Sequence, residues 1–203
     1  MVIAVITGDI INSQHTDPEL WVPALKQLFE GWGRSSVDWE LYRGDEFQVR
    51  TEPTNVFWNF LAIKSLVKKN ENLDVRISMG IGDQSYVATK ITQCQGSAFT
   101  YSGRGLETIK KEGSTFHITT PNEKLSRELM LTLKWASLEF DRWTPALAEV
   151  IYELVHHTEI TQDELAKKLQ VTQSSISQRI KRANFDLLKE TDGFFREKMD
   201  NLA

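Results

Sequence analysis

The chain has a single cysteine, Cys94, among 203 residues. No disulfide can close within it, and a zinc finger is excluded as well. Proline (5) and glycine (11) are sparse, which rules out collagen-like and low-complexity architectures. Excess positive charge is also lacking: 24 Lys plus Arg stand against 28 Asp plus Glu, a formal net charge of −4. Contact with nucleic acid or an anionic membrane must therefore come from a local patch. No run approaches the ~18 uncharged apolar residues that a membrane span requires. The opening Met1-Val2-Ile3-Ala4-Val5-Ile6-Thr7-Gly8-Asp9 has no basic leader and meets an acid early, so it does not read as a signal peptide. The expectation is a cytoplasmic protein without a membrane partner. What is present, 40% hydrophobic and 26% charged residues, is a globular composition. Its length suits one domain with an appendage, or two small domains.

The β-branched run Val2 to Ile6 reads as a strand buried on both faces. Asp17-Pro18 predicts a helix start, carrying Leu20, Val22, Leu25, Leu28 and Phe29 toward a stop at Gly31-Trp32-Gly33. Two strand-like pieces, 38–42 and 47–51, flank Arg43-Gly44-Asp45-Glu46, a tight-turn composition that predicts a hairpin. Pro53 opens a second helix, and the alternation Val75, Ile77, Met79 marks a strand over 73–81. The order β-α-β-β-α-β is the ferredoxin-like one, with an antiparallel sheet and two helices on one face. Residues 84–95 carry no clear pattern. Helices are expected over 102–111 and 123–138, with an edge strand at 116–120 between them. Beyond about residue 142 every segment is helical. Two domains follow: an α+β domain over 1–142 and a small all-α domain over 143–203.

In the second domain, Thr161 and Glu164 have the spacing of a capping box. Leu165, Ala166 and Leu169 form the buried face of that helix, and Val171 plugs the turn. Thr172 caps a further helix that buries Ile176 and Ile180. Its other face offers Thr172, Gln173, Ser174, Ser175 and Gln178, then the cations Arg179, Lys181 and Arg182. Between 172 and 183 there is no acidic residue. A helix that enters a DNA major groove needs this arrangement: short polar side chains for base edges and cations for phosphates. The bland alternative is a helical hairpin used for packing. Residues 184–203, with Phe185, Leu187, Leu188, Phe194, Phe195 and Met199, read as more helix and as a candidate dimerisation arm, so a homodimer is expected.

In the first domain, Asp9 ends the opening strand while Asp45 and Glu46 sit in the hairpin turn. In a ferredoxin-like sheet these strands are neighbours, so the three acids should converge at one edge. Such a set suits Mg²⁺, a hard ion that leaves positions open for phosphate oxygens. Singly, each has a plainer reading: Asp9 as a cap after a strand, Asp45 and Glu46 as turn residues. The four histidines show no ligand spacing, and no phosphate-binding loop or Ser-His-Asp arrangement is detectable.

Leu169-Gln170-Val171-Thr172-Gln173-Ser174-Ser175-Ile176-Ser177 resembles the helix-turn-helix phrase of many bacterial transcription regulators. Asp9-Ile10 followed by Gly44-Asp45 resembles the palm-like core of class III nucleotidyl cyclases, in which the carboxylates and the backbone carbonyl of the isoleucine hold metal. Arg43-Gly44-Asp45-Glu46-Phe47 is similar to the hairpin of GGDEF-type cyclases, with Arg43 in place of the first glycine. Gly96-Ser97-Ala98-Phe99-Thr100-Tyr101-Ser102-Gly103-Arg104 is similar to a cyclase helix phrase, with Thr100 where the family has asparagine and Arg104 matching its arginine. The start, the Arg43-to-Gln48 turn and the appended helices together resemble the SatD family of bacterial proteins. The resemblance implies metal at Asp9, Ile10, Asp45 and Glu46, and nucleotide or phosphate at Arg43, Thr100 and Arg104, with Mg²⁺ or Mn²⁺ as cofactor. Two functions stay open. One is a DNA-binding regulator whose first domain senses a nucleotide or phosphorylated small molecule, or dimerises. The alternative is a metal-dependent nucleotidyl cyclase or related nucleotide-processing enzyme. A cyclase-like scaffold used only for assembly is the third possibility.

Overall fold

The computed structural model describes residues 2–202, which form an α+β structure with a five-stranded mixed sheet and eight α-helices. The central strand β1 (Val2–Ile11) is buried from Ile3 through Ile10, as its unbroken apolar run requires. A 3₁₀ turn at Pro18–Leu20 comes next, capped by Asp17, and only then α1 (Val22–Glu30). The helix expected to open at Asp17-Pro18 thus begins four residues later, at Val22 instead of Pro18, and Leu20, read as part of its apolar face, is exposed. The carboxylate of Asp17 is taken by the Glu19 N–H at 3.1 Å, which closes a tight turn instead of an α-helical one.

Strands β2 (Trp39–Tyr42) and β3 (Glu46–Thr51) form the hairpin, with Tyr42 opposite Glu46. A 3₁₀ turn from Pro53 leads into α2 (Val56–Lys68), and β4 (Asp74–Asp83) follows. The sheet order is β2-β3-β1-β4-β5, where β5 is Phe116–Thr119. Strands β1 to β4 are antiparallel neighbours, as expected. β5 is the exception. Between it and β4 lies α3 (Ser97–Glu112), a crossover that returns the chain to its starting end, so β5 pairs parallel and the sheet is mixed.

Alternation along β1 divides the layers. Ala4, Ile6 and Ile10 join the large core beneath α1 and α2, while Ile3 and Val5 meet Ala98 on α3 across the other face. α3 lies directly on β4 because Gly80 and Gly105 carry no Cβ. One added at Gly80 would overlap the Ala98 carbonyl and the Ser102 N–H, and one at Gly105 would overlap the Ser78 hydroxyl. The unassigned stretch after β4 holds a bridge between Tyr86 and Gln95 and a 3₁₀ turn at Ile91–Gln93.

α4 (Glu123–Phe140) leads to α5 (Pro145–His156), α6 (Gln162–Lys168), α7 (Gln173–Arg182) and α8 (Phe185–Asp200). The capping box at Thr161 and Glu164 is complete. The apolar core runs without interruption across the boundary expected near 142: Ala148, Ile151, Phe185, Phe195 and Met199 belong to the same cluster as the sheet and α2. The residues read as a dimerisation arm fold back as α8, with Phe195 stacked on Phe57 of α2 at 4.7 Å and Met199 2% exposed. Phe185, Leu188, Phe195 and Met199 are covered within the chain, while Leu187 is 56% exposed. A second, smaller cluster joins Val150 of α5, Leu165 and Ala166 of α6 and Ile176 of α7.

Candidate functional site

Two places carry the residues singled out by the sequence. The first is the hairpin end of the sheet. Strand register sets Asp9 directly opposite Glu46 on β3 and opposite Arg76 on β4. Directly opposed residues project from the same face, so the three side chains converge. That face is the one α3 covers, and Lys110 from its last turn reaches in. Lys110 Nζ stands 3.0 Å from Glu46 Oε1 and 3.9 Å from Asp9 Oδ2, and Arg76 Nη1 donates to Asp9 Oδ2 at 3.1 Å. The result is two carboxylates bridged by an ammonium and flanked by a guanidinium.

Asp9 is 9% exposed, and its Oδ1 is buried without a hydrogen-bond partner among the described residues. Burial pushes its carboxyl above the ordinary value. Arg76 and Lys110 pull it back only in part, and the nearby Asp45 charge pushes it further up. Lys110 is moved upward: burial would lower it, but the hydrogen bond to Glu46 and the Asp9 and Glu46 charges outweigh that.

Asp45 is engaged elsewhere. Its Oδ2 accepts the Ser13 hydroxyl at 2.6 Å, and its carbonyl accepts the Ile10 N–H at 3.1 Å, which ties the turn to the end of β1. The Ile10 side chain is buried in the core. Among the described residues no three His, Cys, Asp or Glu side chains gather as a metal-ligand set. Arg43 has a left-handed backbone (φ 53°), where a residue with a Cβ is strained by about 1–2 kcal/mol. Its exposed guanidinium lies 3.7 Å from Glu46 Oε2.

Thr100 and Arg104 do not join this group. α3 runs with its start beside Gly82 and its end beside Asp9, so Thr100 lies about 15 Å back from Lys110 along the helix axis. The Thr100 hydroxyl donates to the Gly96 carbonyl at 3.2 Å, and Arg104 is exposed and forms no ion pair among the described residues. Arg76 and Lys110 are not among the candidate site residues that the sequence singles out. Arg76 carried a signal, since the alternation Val75-Arg76-Ile77 places it on the face opposite the core. Nothing local marks Lys110, which acquires its place only when α3 crosses the sheet.

The second place is α7. Gln170 takes a left-handed conformation (φ 54°) in the turn after α6, and the Val171 N–H bonds back to the Ala166 carbonyl at 3.0 Å. Thr172 Oγ1 accepts the Ser175 N–H at 3.2 Å and so caps the helix. Ile176 is fully buried, which turns the opposite face outward. Gln173, Ser174, Gln178, Lys181 and Arg182 are exposed, and Ser175 is half-buried. Gln173 is tied to Gln162 of α6 at 2.7 Å, whereas no side-chain partner within the described residues engages Gln178, Lys181 or Arg182. Arg179 is turned partly inward, its Nη1 donating to the Ala146 carbonyl of α5 at 3.3 Å.

No protein-family model matches the chain, and no curated protein matches it either.

Proposed function

We propose that this chain is a transcription regulator that binds DNA through α6 and α7. α6, the turn at Gln170 and α7 serve as the two arms of a helix-turn-helix, with α7 as the recognition helix. The observation that carries this reading is the outward face of α7. Gln178, Lys181 and Arg182 project from it unengaged by any side chain among the described residues, and the helix has three cations in its last turn and no acid in its first. Side chains committed to packing or to internal ion pairs could not reach bases and phosphates; these are free to do so. A merely structural helical hairpin has no use for that polarity in a chain of net charge −4.

The first 142 residues are assigned the ferredoxin-like, palm-type fold. The order β2-β3-β1-β4 with α1 and α2 on one face supports it. The likeness to SatD-type proteins rests on the same elements with α5 to α8 appended. In this reading the first domain senses a nucleotide or a phosphorylated small molecule, or mediates dimerisation, and Arg43 is the exposed cation of its hairpin end.

One observation favours enzymatic chemistry as a second reading: the buried Asp9 Oδ1 lacks a partner among the described residues. A hard cation accepts such an oxygen, and Asp9, Asp45 and Glu46 would hold Mg²⁺ or Mn²⁺, which supplies a positive centre for phosphate oxygens. Lys110 now bridges Asp9 and Glu46, Arg76 holds Asp9 and Ser13 holds Asp45, so all three contacts would have to open for the ion.

Titration of labelled duplex DNA at two salt concentrations tests the first reading. Affinity should fall steeply with salt, and Lys181→Ala and Arg182→Ala should each reduce the log–log salt slope by about 1. Salt-insensitive binding, or variants indistinguishable from wild type, would refute it. Incubating wild type and Asp9→Asn with ATP or GTP and Mn²⁺ tests the second: equal product, or none, removes it.

A further inference from the structure

α4 has two apolar faces. Leu125, Leu129, Leu133 and Phe140 are buried against the rest of the chain. On the opposite side Leu131, Trp135 and Leu138 are 59%, 69% and 47% exposed. Their spacing, i, i+4 and i+7, makes one continuous stripe along the helix. An amphipathic helix on a protein surface needs one apolar face; a second, with a tryptophan at its centre, marks a contact surface.

The charges beside the stripe say what covers it. At 100° per residue, Arg127 and Lys134 flank it on one side with Glu123 at that flank's N-terminal end, Glu128 and Glu139 flank it on the other, and Lys124 stands at the N-terminal end of the stripe itself. Glu128 is paired within the chain to Lys198 at 3.0 Å, while Arg127, Lys134 and Glu139 form no ion pair among the described residues. Beside Trp135 and Leu138 the unpaired charges are Lys134 on one flank and Glu139 on the other, a set complementary to itself in one orientation. When two such helices lie parallel, the Lys134 side of each meets the Glu139 side of the other. Lys134 then falls beside Glu139 of the second copy, five residues on, the spacing by which parallel coiled coils pair their flanks. In an antiparallel pair Lys134 would face its own symmetry mate, and like charges would repel.

We infer that α4 is a homodimer seam in which two copies pack in parallel through Leu131, Trp135 and Leu138, with reciprocal Lys134–Glu139 ion pairs. The two-fold axis then runs along the seam. Because α5 follows directly from the end of α4, both copies of the α5–α7 segment leave the seam at the same end. On the DNA-binding reading of α7, two recognition helices are thereby offered to one duplex. The seam itself does not depend on that reading.

The test is sedimentation equilibrium of the full chain without DNA. Wild type should approach twice 23.3 kDa as concentration rises. Trp135→Glu and Leu131→Glu should remain at 23.3 kDa, with unchanged circular dichroism because both sites are exposed. Lys134→Glu and Glu139→Lys should each weaken association roughly two- to thirtyfold, and the double exchange should restore it. A single 23.3 kDa species at every concentration overturns the inference. So does a dimer indifferent to Trp135→Glu, or a double exchange that recovers nothing. A monomer that still binds DNA would refute the seam alone, and a dimer that ignores DNA would refute only the DNA reading.

Discussion

Lys64 is completely buried in α2, where an isolated ammonium would cost several kcal/mol. Its Nζ is matched by Asp74 Oδ1 at 2.8 Å and Asp141 Oδ1 at 2.8 Å, and Lys68 completes the network through Asp74 Oδ2 at 3.1 Å. Lys64→Ala removes one side of a buried pair and should cost about 3–5 kcal/mol in urea unfolding. Asp141→Ala should cost much less, since its carboxylate is 39% exposed and Asp74 still holds the lysine. Burial alone would raise the Asp74 carboxyl, but Lys64 and Lys68 outweigh it and hold it below the ordinary value. A carboxyl lowered by folding adds stability that is present above its unfolded value and is lost as pH falls through the lowered one. Stability should therefore fall in acid, and Asp74→Asn should flatten that part of the profile. Asp9 works in the opposite sense. Its carboxyl is raised, so its ionised form is a cost at neutral pH. Lys110→Met, which removes a compensating charge, should push Asp9 higher still, as read by NMR titration of the side-chain carboxyl.

At the scale of elements, the contact of α3 with β4 depends on missing side chains. Gly80→Ala would press a methyl into the Ala98 carbonyl and the Ser102 N–H, backbone atoms that cannot turn aside. We expect a loss of about 1–3 kcal/mol, measured in urea, whereas Gly103→Ala, with open space around it, should be neutral or mildly stabilising. Elements defined by local chemistry were legible in the sequence. β1 is a buried apolar run, the hairpin is marked by its Arg43-Gly44-Asp45 turn, and the capping box at Thr161 and the cap at Thr172 announce α6 and α7. Elements defined by what they touch were not. The start of α3 at Ser97 depends on Asp83, whose carboxylate accepts the Ser97 N–H at 2.8 Å from across the sheet edge. The parallel pairing of β5, the place of Lys110 beside Asp9 and the return of α8 to α2 are likewise set by tertiary contacts. Periodicity reports which face of a helix is apolar but not what covers it: of the residues read as an arm, Phe185, Leu188, Phe195 and Met199 pack inside the chain and Leu187 stays exposed.

For the molecule as a whole, the expected division near residue 142 marks a change of composition and not an edge of the core. Trp58 of α2 donates to the Val155 carbonyl of α5 at 3.2 Å, and Phe57 stacks on Phe195. Asp141, at the junction itself, is bound by Lys64 from beneath. The full chain should therefore unfold in a single calorimetric transition. A fragment of residues 1–142 should bind a hydrophobic dye and melt without cooperativity, because the outer side of α2 is stripped. A sharp transition in that fragment would show that the two parts are separable after all. The same closure has a consequence for synthesis. Asn55, at the threshold of α2, meets Arg196 from 141 positions downstream, so the ribosome delivers the cover for α2 long after α2 itself. At roughly 5–20 residues per second the aromatic side of that helix waits many seconds uncovered, which makes the nascent chain, more than the finished one, the natural client of a chaperone.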